Sequence, residues 1–305
     1  MSKIVKIKEV NDYIKAIGGT VSKHPLVGVV DFSELSSVPH SLNNYEVYGV
    51  FMHQHLSVDL TYGCGKYDYQ NGGTIICVAP GQIGGKEDNG ERIQLDGWAL
   101  LFQPSLLTKT LLDSKMSQYT FFDYSINEAL HTTPEEYQML EEIMKHIKKE
   151  INGHRDNSQD TIITDYISLL LSYCNRFYNR QFVTRKIENA DILHKFQLIL
   201  DDYYKQKKQI QLGLPSVRYC ADQLCLSPGY LGDLVRKHTG DSAIDFIHQF
   251  LLQKAKSELL SGKRISQTSY ELGFDYPGHF SRLFKKIEGI SPSSYIKQAK
   301  EGKRC

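Results

Sequence analysis

Two segments near the C-terminal end of the chain finish in paired basic residues, the side chains that bind phosphate oxygens. Pro228 to Gly240 and Pro277 to Gly289 share the pattern Pro-Gly-x-apolar-x-x-Leu-apolar-basic-Lys-x-x-Gly and start 49 residues apart. In each segment apolar residues recur at i, i+3 and i+4, which places them on one face of a helix. Proline and glycine limit each helix to about three turns, a size that fits the major groove of DNA. The pattern therefore predicts two DNA-reading helices.

A shorter helix and a tight turn precede each of these segments. The short helices are predicted over Val217 to Leu224 and over Ile265 to Leu272, so each half reads as a helix-turn-helix. A connecting helix from Ser242 to Ser261 holds 20 residues and should be about 30 Å long. Adjacent major-groove segments on one face of B-DNA lie about 34 Å apart. The connecting helix thus has the length of a spacer, the alternative being a generic helical bundle that binds nothing.

The chain between and around these motifs is predicted to be helical from Ile192 onward, so residues 190–305 form a small all-α domain. A polar segment over residues 180–189 is predicted to join this domain to the first half. The further helices are expected over Ile192 to Tyr204, Pro228 to His238, Ala243 to Leu260, Pro277 to Ile287 and Pro292 to Gln298.

Charge is divided unequally along the 305 residues, although the net charge is only +1. Residues 201–305 contain 17 Lys and Arg against 11 Asp and Glu, whereas residues 1–200 contain 19 against 24. The basic end is the end that carries the repeat. A positive domain is attracted to the phosphate backbone, which supplies much of the affinity of DNA-binding proteins. An ordinary solvated basic surface is the alternative explanation.

The stretch from Ala255 to Tyr295 resembles the AraC-type (AraC/XylS) transcriptional regulators, in A-K-S-E-L-L and in I-S-Q-T-S-Y-E-L-G-F-D-Y-P-G-H-F-S-R-L-F-K-K-I-E-G-I-S-P-S-S-Y. The resemblance covers roughly Ile192 to Lys300. It implies a regulator of promoter DNA, with possible contact to RNA polymerase, that is not an enzyme and needs no cofactor. It also implies that the base-reading positions are Gly229, Tyr230, Gly232 and Asp233 in the first helix and Pro277, Gly278, His279, Ser281 and Arg282 in the second.

Two of these positions carry opposite charges. Arg282 is predicted to read guanine, because a guanidinium donates two hydrogen bonds to O6 and N7. Asp233 departs from the polar or basic residue common in the family. A carboxylate only accepts, for example from a cytosine amino group, and otherwise repels phosphate, so the first helix is expected to read weakly or through DNA shape. Four residues are predicted to contact phosphate: Arg236, Lys237, Lys285 and Lys286.

The first half of the chain is predicted to be β-rich between residues 20 and 125, with strands within Tyr45 to Leu56, Gly73 to Val78 and Gly97 to Phe102, in a small barrel or sandwich. A helix is expected from Thr133 to about Asn152, and a second from about Ser158. The second helix has an apolar stripe too wide for one neighbour, which predicts a homodimer surface in residues 158–182. The resemblance implies that residues 1–182 form a cupin-like β-barrel with dimerisation helices, so the fold class is a two-domain α+β protein.

A metal site or an effector site is the main question for the first half. His53 and His55 alternate along a strand and Asp59 follows, as in the metal set of a catalytic cupin. No histidine follows shortly after Pro80-Gly81-Gln82, so we predict no metal and ordinary hydrogen-bonded histidines. The resemblance instead implies a small-molecule effector, with His53, His55, Tyr67, Tyr69 and Trp98 as candidate contacts. The rivals are a cupin enzyme fused to a DNA-binding module, and a regulator controlled by a protein partner or by its own abundance.

The compartment is predicted to be the cytosol. The sequence shows neither a signal peptide nor a stretch long and apolar enough to cross a membrane. Its six cysteines include no C-x-x-C pair, which argues against a disulfide framework. Cys220 and Cys225 are expected to be small buried hydrophobes rather than a redox or metal pair.

Overall fold

The protein consists of two compact units, residues 1–184 and residues 185–305. A computed structural model describes residues 4–54, 61–62, 65–66, 73–86, 88, 90–125, 128–184 and 186–301. The two units differ in class, because the first is mixed α/β and the second is all-α. No helix among the described residues is long and apolar enough to span a membrane.

The first unit contains twelve strands and five α-helices within its described residues. The strands are β1 Val5–Ile7, β2 Val27–Asp31, β3 Val38–Pro39, β4 Leu42–Tyr45, β5 Tyr48–His53, β6 Thr61–Tyr62, β7 Gly65–Lys66, β8 Thr74–Val78, β9 Ile83–Gly85, β10 Arg92–Ile93, β11 Trp98–Phe102 and β12 Leu130–His131. The helices are α1 Val10–Ala16, α2 Pro104–Leu107, α3 Leu111–Lys115, α4 Pro134–Asn152 and α5 Gln159–Thr184.

The main sheet of the first unit is antiparallel, with strand order β12-β8-β5-β11-β2. Its strand β11 is buried at every residue, because neighbouring strands flank it and other elements cover both faces of the sheet. A second sheet has the order β1-β4-β9. Strands β5, β8 and β11 confirm the three strands that the sequence predicted. The described strands form separate open sheets, so they do not close the predicted barrel.

Helix α4 follows its sequence signals closely. The side chain of Thr133 accepts a hydrogen bond from the backbone N–H of Glu136, and the carboxylate of Glu136 accepts one from the backbone N–H of Thr133, which completes a capping box. Pro134 occupies the first turn and Gly153 ends the helix. The predicted helix from Thr133 to about Asn152 is thereby confirmed.

Helix α5 buries its wide apolar stripe inside its own unit. Ile167 and Leu170 are both 0% exposed, and the helix packs against α2, α3, α4 and β12. Several neighbours therefore cover the stripe, and its width does not require a second copy of the chain. Sequence reasoning took this stripe for a dimer surface, and the burial of Ile167 and Leu170 corrects that interpretation. Ile162 and Leu169 remain exposed on the outer face.

The second unit consists of helices alone: α6 Lys186–Lys205, α7 Gln209–Leu212, α8 Val217–Gln223, α9 Pro228–Thr239, α10 Ala243–Leu260, α11 Ile265–Glu271, α12 Pro277–Glu288 and α13 Pro292–Glu301. From α8 to α12 each helix begins at the predicted residue and ends within one residue of the predicted end. The polar segment 180–189 was predicted as a linker. The boundary between the two units falls inside this segment, directly after Thr184, and its described residues belong to the last turn of α5 and the first turn of α6.

The core of the second unit is built around α10, which packs against α8, α9, α11, α12 and α13. The rings of Phe196 and Phe246 stack with centroids 4.9 Å apart and hold α6 against α10. Cys220 is buried as predicted, and burial raises the pKa of its thiol to about 12. Cys225 is exposed, which contradicts its predicted burial. It lies in a turn outside the helical stripe, where helical periodicity no longer applies.

Candidate nucleic-acid interface

The first helix-turn-helix motif is formed by α8 and α9. The Oγ of Ser216 accepts from the backbone N–H of Tyr219 at 3.1 Å and starts α8. The Oγ of Ser227 accepts from the backbone N–H of Tyr230 at 3.2 Å and starts α9. Gly240 ends α9 in the left-handed conformation (φ 83°). Both helices therefore begin with a capping serine, and α9 ends at a left-handed glycine, the residue types preferred at these positions.

The turn between α8 and α9 depends on one left-handed residue, Cys225 (φ 57°). The backbone N–H of Leu226 donates to the carbonyl of Ala221 at 2.9 Å, and that of Cys225 donates to Asp222 at 3.2 Å. These are the hydrogen bonds of a Schellman motif, a helix end that usually requires glycine. A cysteine in this conformation carries the strain of its Cβ.

The second motif, α11 and α12, repeats this backbone with a different residue at the turn. Gly273 takes the left-handed position (φ 93°), and the N–H of Phe274 donates to the carbonyl of Ser269 at 3.1 Å. A Cβ on Gly273 would lie 3.0 Å from the carbonyl carbon and oxygen of Gly213. Glycine is therefore needed here twice, for its φ angle and for close packing against the end of α7. Gly289 ends α12 at φ 82°, as Gly240 ends α9.

The second reading helix, α12, presents its candidate residues on one exposed face. Phe280 and Phe284 are buried on the opposite face. Gly278, His279, Arg282, Lys285 and Lys286 are exposed, while Pro277 and Ser281 are half-buried. Within the part of the chain that the structure describes, Arg282 donates only one long hydrogen bond, 3.4 Å from Nε to the carbonyl oxygen of Gly278. Its guanidinium therefore retains donor capacity for a base edge.

The first reading helix, α9, offers a different surface. Arg236 and Lys237 are exposed, whereas Gly229 and Gly232 are half-buried and carry no side chain. The side chain of Asp233 is 16% exposed, and its Oδ1 lies 3.9 Å from Nη1 of Arg236. Tyr230 is 1% exposed, which contradicts its predicted contact with DNA. It precedes buried Leu234 by four residues and shares its face.

Ion pairs tie the second motif to the central helix α10. Nζ of Lys256 on α10 lies 2.6 Å from Oε2 of Glu288 on α12. Lys263 bonds to Glu258 and to Glu271, and the hydrogen bond with Glu258 is the main reason that the pKa of Lys263 is raised. These pairs connect α10, α11 and α12, so they orient the second reading helix on its support.

Tyr276 is a feature of the second motif that sequence reasoning missed. It precedes Pro277 at the N-cap of α12, makes no side-chain cap hydrogen bond, and is 66% exposed. Its ring lies edge-on to that of His279, with centroids 5.6 Å apart. The signal was available in the sequence, since the matched place in the first motif holds Ser227, a capping residue, and this one holds an aromatic residue.

The candidate residues of the first unit are only partly described. His53 is 8% exposed, its Nδ1 lies 3.1 Å from the carbonyl oxygen of Asp96, and its ring stacks on Phe32 at 5.6 Å. Burial lowers the pKa of His53. Trp98 is 6% exposed, and its Nε1 donates to Oε1 of Glu141 at 3.1 Å. Three candidate effector contacts, His55, Tyr67 and Tyr69, lie outside the described residues. Asp59 of the candidate metal set does so too.

The described residues contain no group of three side chains that could hold a metal ion. His55 and Asp59 lie outside the described residues, so the absence of a metal stays a prediction. His53 already uses Nδ1 in an internal contact and is nearly enclosed. Within the described residues it therefore acts as a packed, hydrogen-bonded histidine.

Comparison with known proteins finds similarity over part of this chain. Residues 220–298 match a family described as a helix-turn-helix domain. The uncharacterised transcriptional regulatory protein YesN of Bacillus subtilis is 33% identical over 91 residues, which are 28% of this chain and 25% of that protein. The arabinose operon regulatory protein of Escherichia coli is 39% identical over 77 residues, which are 25% of this chain and 26% of that protein.

A solved structure is also similar to part of the chain. The C-terminal domain of the two-component response regulator yesN from Fusobacterium nucleatum is 28% identical, covers 35% of this chain and 98% of that chain, and has a TM-score of 0.30. The matched segments span about a quarter of the length of the two relatives named above.

Proposed function

We propose that the protein is a sequence-specific transcriptional regulator of the AraC/XylS family that binds promoter DNA in the cytosol. The match of residues 220–298 to a helix-turn-helix domain and the similarity to the arabinose operon regulatory protein support this proposal. The observation that carries the proposal is the repeated motif. Two reading helices, α9 and α12, have matching left-handed ends, flank one central helix, and expose basic pairs after a buried apolar face.

Helix α12 makes the base contacts, and both reading helices contact phosphates. Arg282 and His279 on α12 reach base edges in the major groove, where the arginine pairs with guanine. Four exposed basic residues hold phosphates: Arg236, Lys237, Lys285 and Lys286. Helix α10 has 18 residues and is about 27 Å long, which approaches the distance of about 34 Å between adjacent major-groove segments.

Selection of binding sites from a random DNA pool tests this proposal directly. The full-length protein should enrich one sequence family with two half-sites about one helical turn apart. Affinity for the enriched site should fall steeply between about 50 and 200 mM salt, because the basic residues displace counterions. Enrichment of no sequence, or affinity independent of salt, would refute a DNA-reading role.

The first unit is proposed to bind an effector and to form the homodimer. We propose that its sheets belong to a cupin-like domain that takes a small-molecule effector and so alters promoter occupancy or contact with RNA polymerase. Thermal stability against a panel of metabolites tests this. A ligand that binds only the folded unit adds about 2.7 kcal/mol of stability at a hundredfold excess over Kd. Absence of any shift would favour control by a protein partner or by abundance.

The proposed homodimer uses the outer face of α5 within residues 158–182. Ile162 and Leu169 on this face are 38% and 45% exposed, and Met139 on α4 is 42% exposed. Covering such apolar side chains favours association. Ile162→Glu with Leu169→Glu should shift sedimentation towards monomer without lowering the melting temperature. The control Ile167→Glu should destabilise the unit instead, since it buries a charge in the core. A double variant that stays dimeric would place the interface elsewhere.

A further inference from the structure

The second reading helix begins with an aromatic residue where the first begins with a capping serine. Counted by their distance from the N1 prolines, Tyr276 matches Ser227. The side chain of Ser227 accepts a hydrogen bond from the backbone of α9, whereas the side chain of Tyr276 makes no capping hydrogen bond with α12. A serine or aspartate at this position would stabilise the helix. The tyrosine therefore occupies the site against local helix preference, which is common at functional positions.

Tyr276 is also directed away from the protein core. Two neighbouring aromatic residues, Phe274 and Phe280, are buried and pack edge to face at 5.5 Å. Tyr276 between them remains 66% exposed, and its hydroxyl makes no hydrogen bond to the described residues. Its ring meets His279, a residue on the exposed face of α12 that also carries Arg282. The exposed ring thus extends the reading surface at the N-terminal end of the helix.

We propose that Tyr276 is a specificity-determining residue whose ring packs on the C5-methyl group of a thymine. The inference rests on the proposed DNA-binding function and deepens it. The N-terminal residues of a recognition helix are those that approach base edges. The thymine methyl is the apolar feature of the major groove, and apolar side chains read it by contact. The ring lies edge-on to His279, which shares the exposed face of α12 with Arg282.

Replacement of thymine by uracil in the selected site tests the proposal, because it removes only the methyl group. At one position the exchange should weaken binding of the unaltered protein about fourfold, the size expected for one buried methyl. Tyr276→Phe should keep this sensitivity, since it keeps the ring. Tyr276→Ser should bind the thymine and uracil duplexes equally and should melt no lower than the unaltered protein, because serine supplies the missing cap.

Tyr270 provides the matched control. It is 57% exposed in the same motif, but it lines a groove formed with α6, α7 and α10. Tyr270→Ser should leave the uracil effect unchanged.

Three results would overturn the proposal: no uracil effect at any thymine, an effect that persists in Tyr276→Ser, or an effect lost in Tyr276→Phe, which would indicate a hydroxyl contact instead. Failure to enrich any site at all would refute the proposed function, and the thymine contact with it. Enrichment without a uracil effect would remove the thymine contact alone.

Discussion

The two helix-turn-helix motifs have nearly the same backbone and very different exposed faces. Gly240 and Gly289 end the two reading helices at φ 83° and 82°. On the exposed faces, however, Asp233 occupies the place that Arg282 takes in the second motif. The comparison teaches that capping and left-handed turn residues preserve the shape of the motif, while the side chains between them are free to change what the helix recognises.

The two motifs also differ in the contacts that hold them in the second unit. Lys256 and Lys263 join α10 to the second motif through carboxylates on α10, α11 and α12. In the first motif the matching support comes mainly from apolar burial of residues such as Leu231, Leu234 and Val235. We infer that the second motif is held more rigidly in orientation. That rigidity would suit the base-reading role proposed for α12, because base contacts tolerate little displacement.

The largest expected effect tests the shared backbone. Gly273→Ala should lower the free energy of unfolding by about 3 kcal/mol, because an alanine at φ 93° is strained and its Cβ would press on Gly213. Cys225→Gly at the matching turn should act in the opposite direction, by about 0.5–1 kcal/mol, since it removes strain at φ 57°. Urea unfolding of both variants measures the pair. If both changes lowered the free energy of unfolding, the two turns would not be equivalent.

The next effect tests the unequal faces. Arg282→Ala should weaken binding to the selected site by about 2 kcal/mol and relax the preference at one base position, as expected for loss of a bidentate guanine contact. Gel shifts with the selected site and its single-base variants measure both quantities. Arg282→Lys is the control, because it keeps the charge but loses the bidentate geometry. Full specificity in Arg282→Ala would assign base reading to the first motif instead.

How far sequence predicts structure differs between helix ends and helix surroundings. The ends of α9 and α12 were predictable because proline at N1 and a left-handed glycine are local signals. The burial of Tyr230 was missed because its role was carried over from the family motif, although its spacing of four residues to Leu234 places it on the buried face. The apolar stripe of α5 misled for a different reason: periodicity gives the width of a stripe but not the number of partners that cover it.

The candidate site shows the same division. The exposed row Gly278, His279, Arg282, Lys285 and Lys286 follows directly from helical periodicity once Phe280 and Phe284 are placed in the core. The low exposure of Asp233 beside Arg236 required the structure. The polar composition of residues 180–189 predicted a joining segment, but it did not indicate that the described residues continue α5 and begin α6.

A smaller effect tests the phosphate contacts, which the two motifs share. Lys285→Ala should weaken binding to all sequences similarly and reduce the slope of log affinity against log salt by about 0.9. Arg236→Ala, its counterpart on α9, should act in the same way if both motifs touch the backbone. Titrations at several salt concentrations give the slopes. A slope that changes for only one of the two variants would mean that only one motif engages phosphate at that position.

The smallest expected effect comes from Asp233, where the two motifs differ most in charge. Two roles were open from the sequence: a carboxylate that reads cytosine, and one that only repels phosphate. The structure adds a third, because the side chain is only 16% exposed and its Oδ1 lies 3.9 Å from Nη1 of Arg236. A carboxylate so placed acts on DNA mainly by competing with phosphate for that guanidinium, and a partly exposed i,i+3 pair is worth only about 0.3–0.5 kcal/mol.

Asp233→Asn should therefore raise affinity by no more than about threefold, equally for all sequences, and should steepen the salt dependence. Arg236→Ala combined with Asp233→Asn should abolish this gain, since the residue that the substitution frees is gone. Selection with the Asp233→Asn protein separates the roles: an unchanged site supports the competition with phosphate. Lost preference at one C·G pair would instead make Asp233 a base reader and the first motif a true partner in recognition.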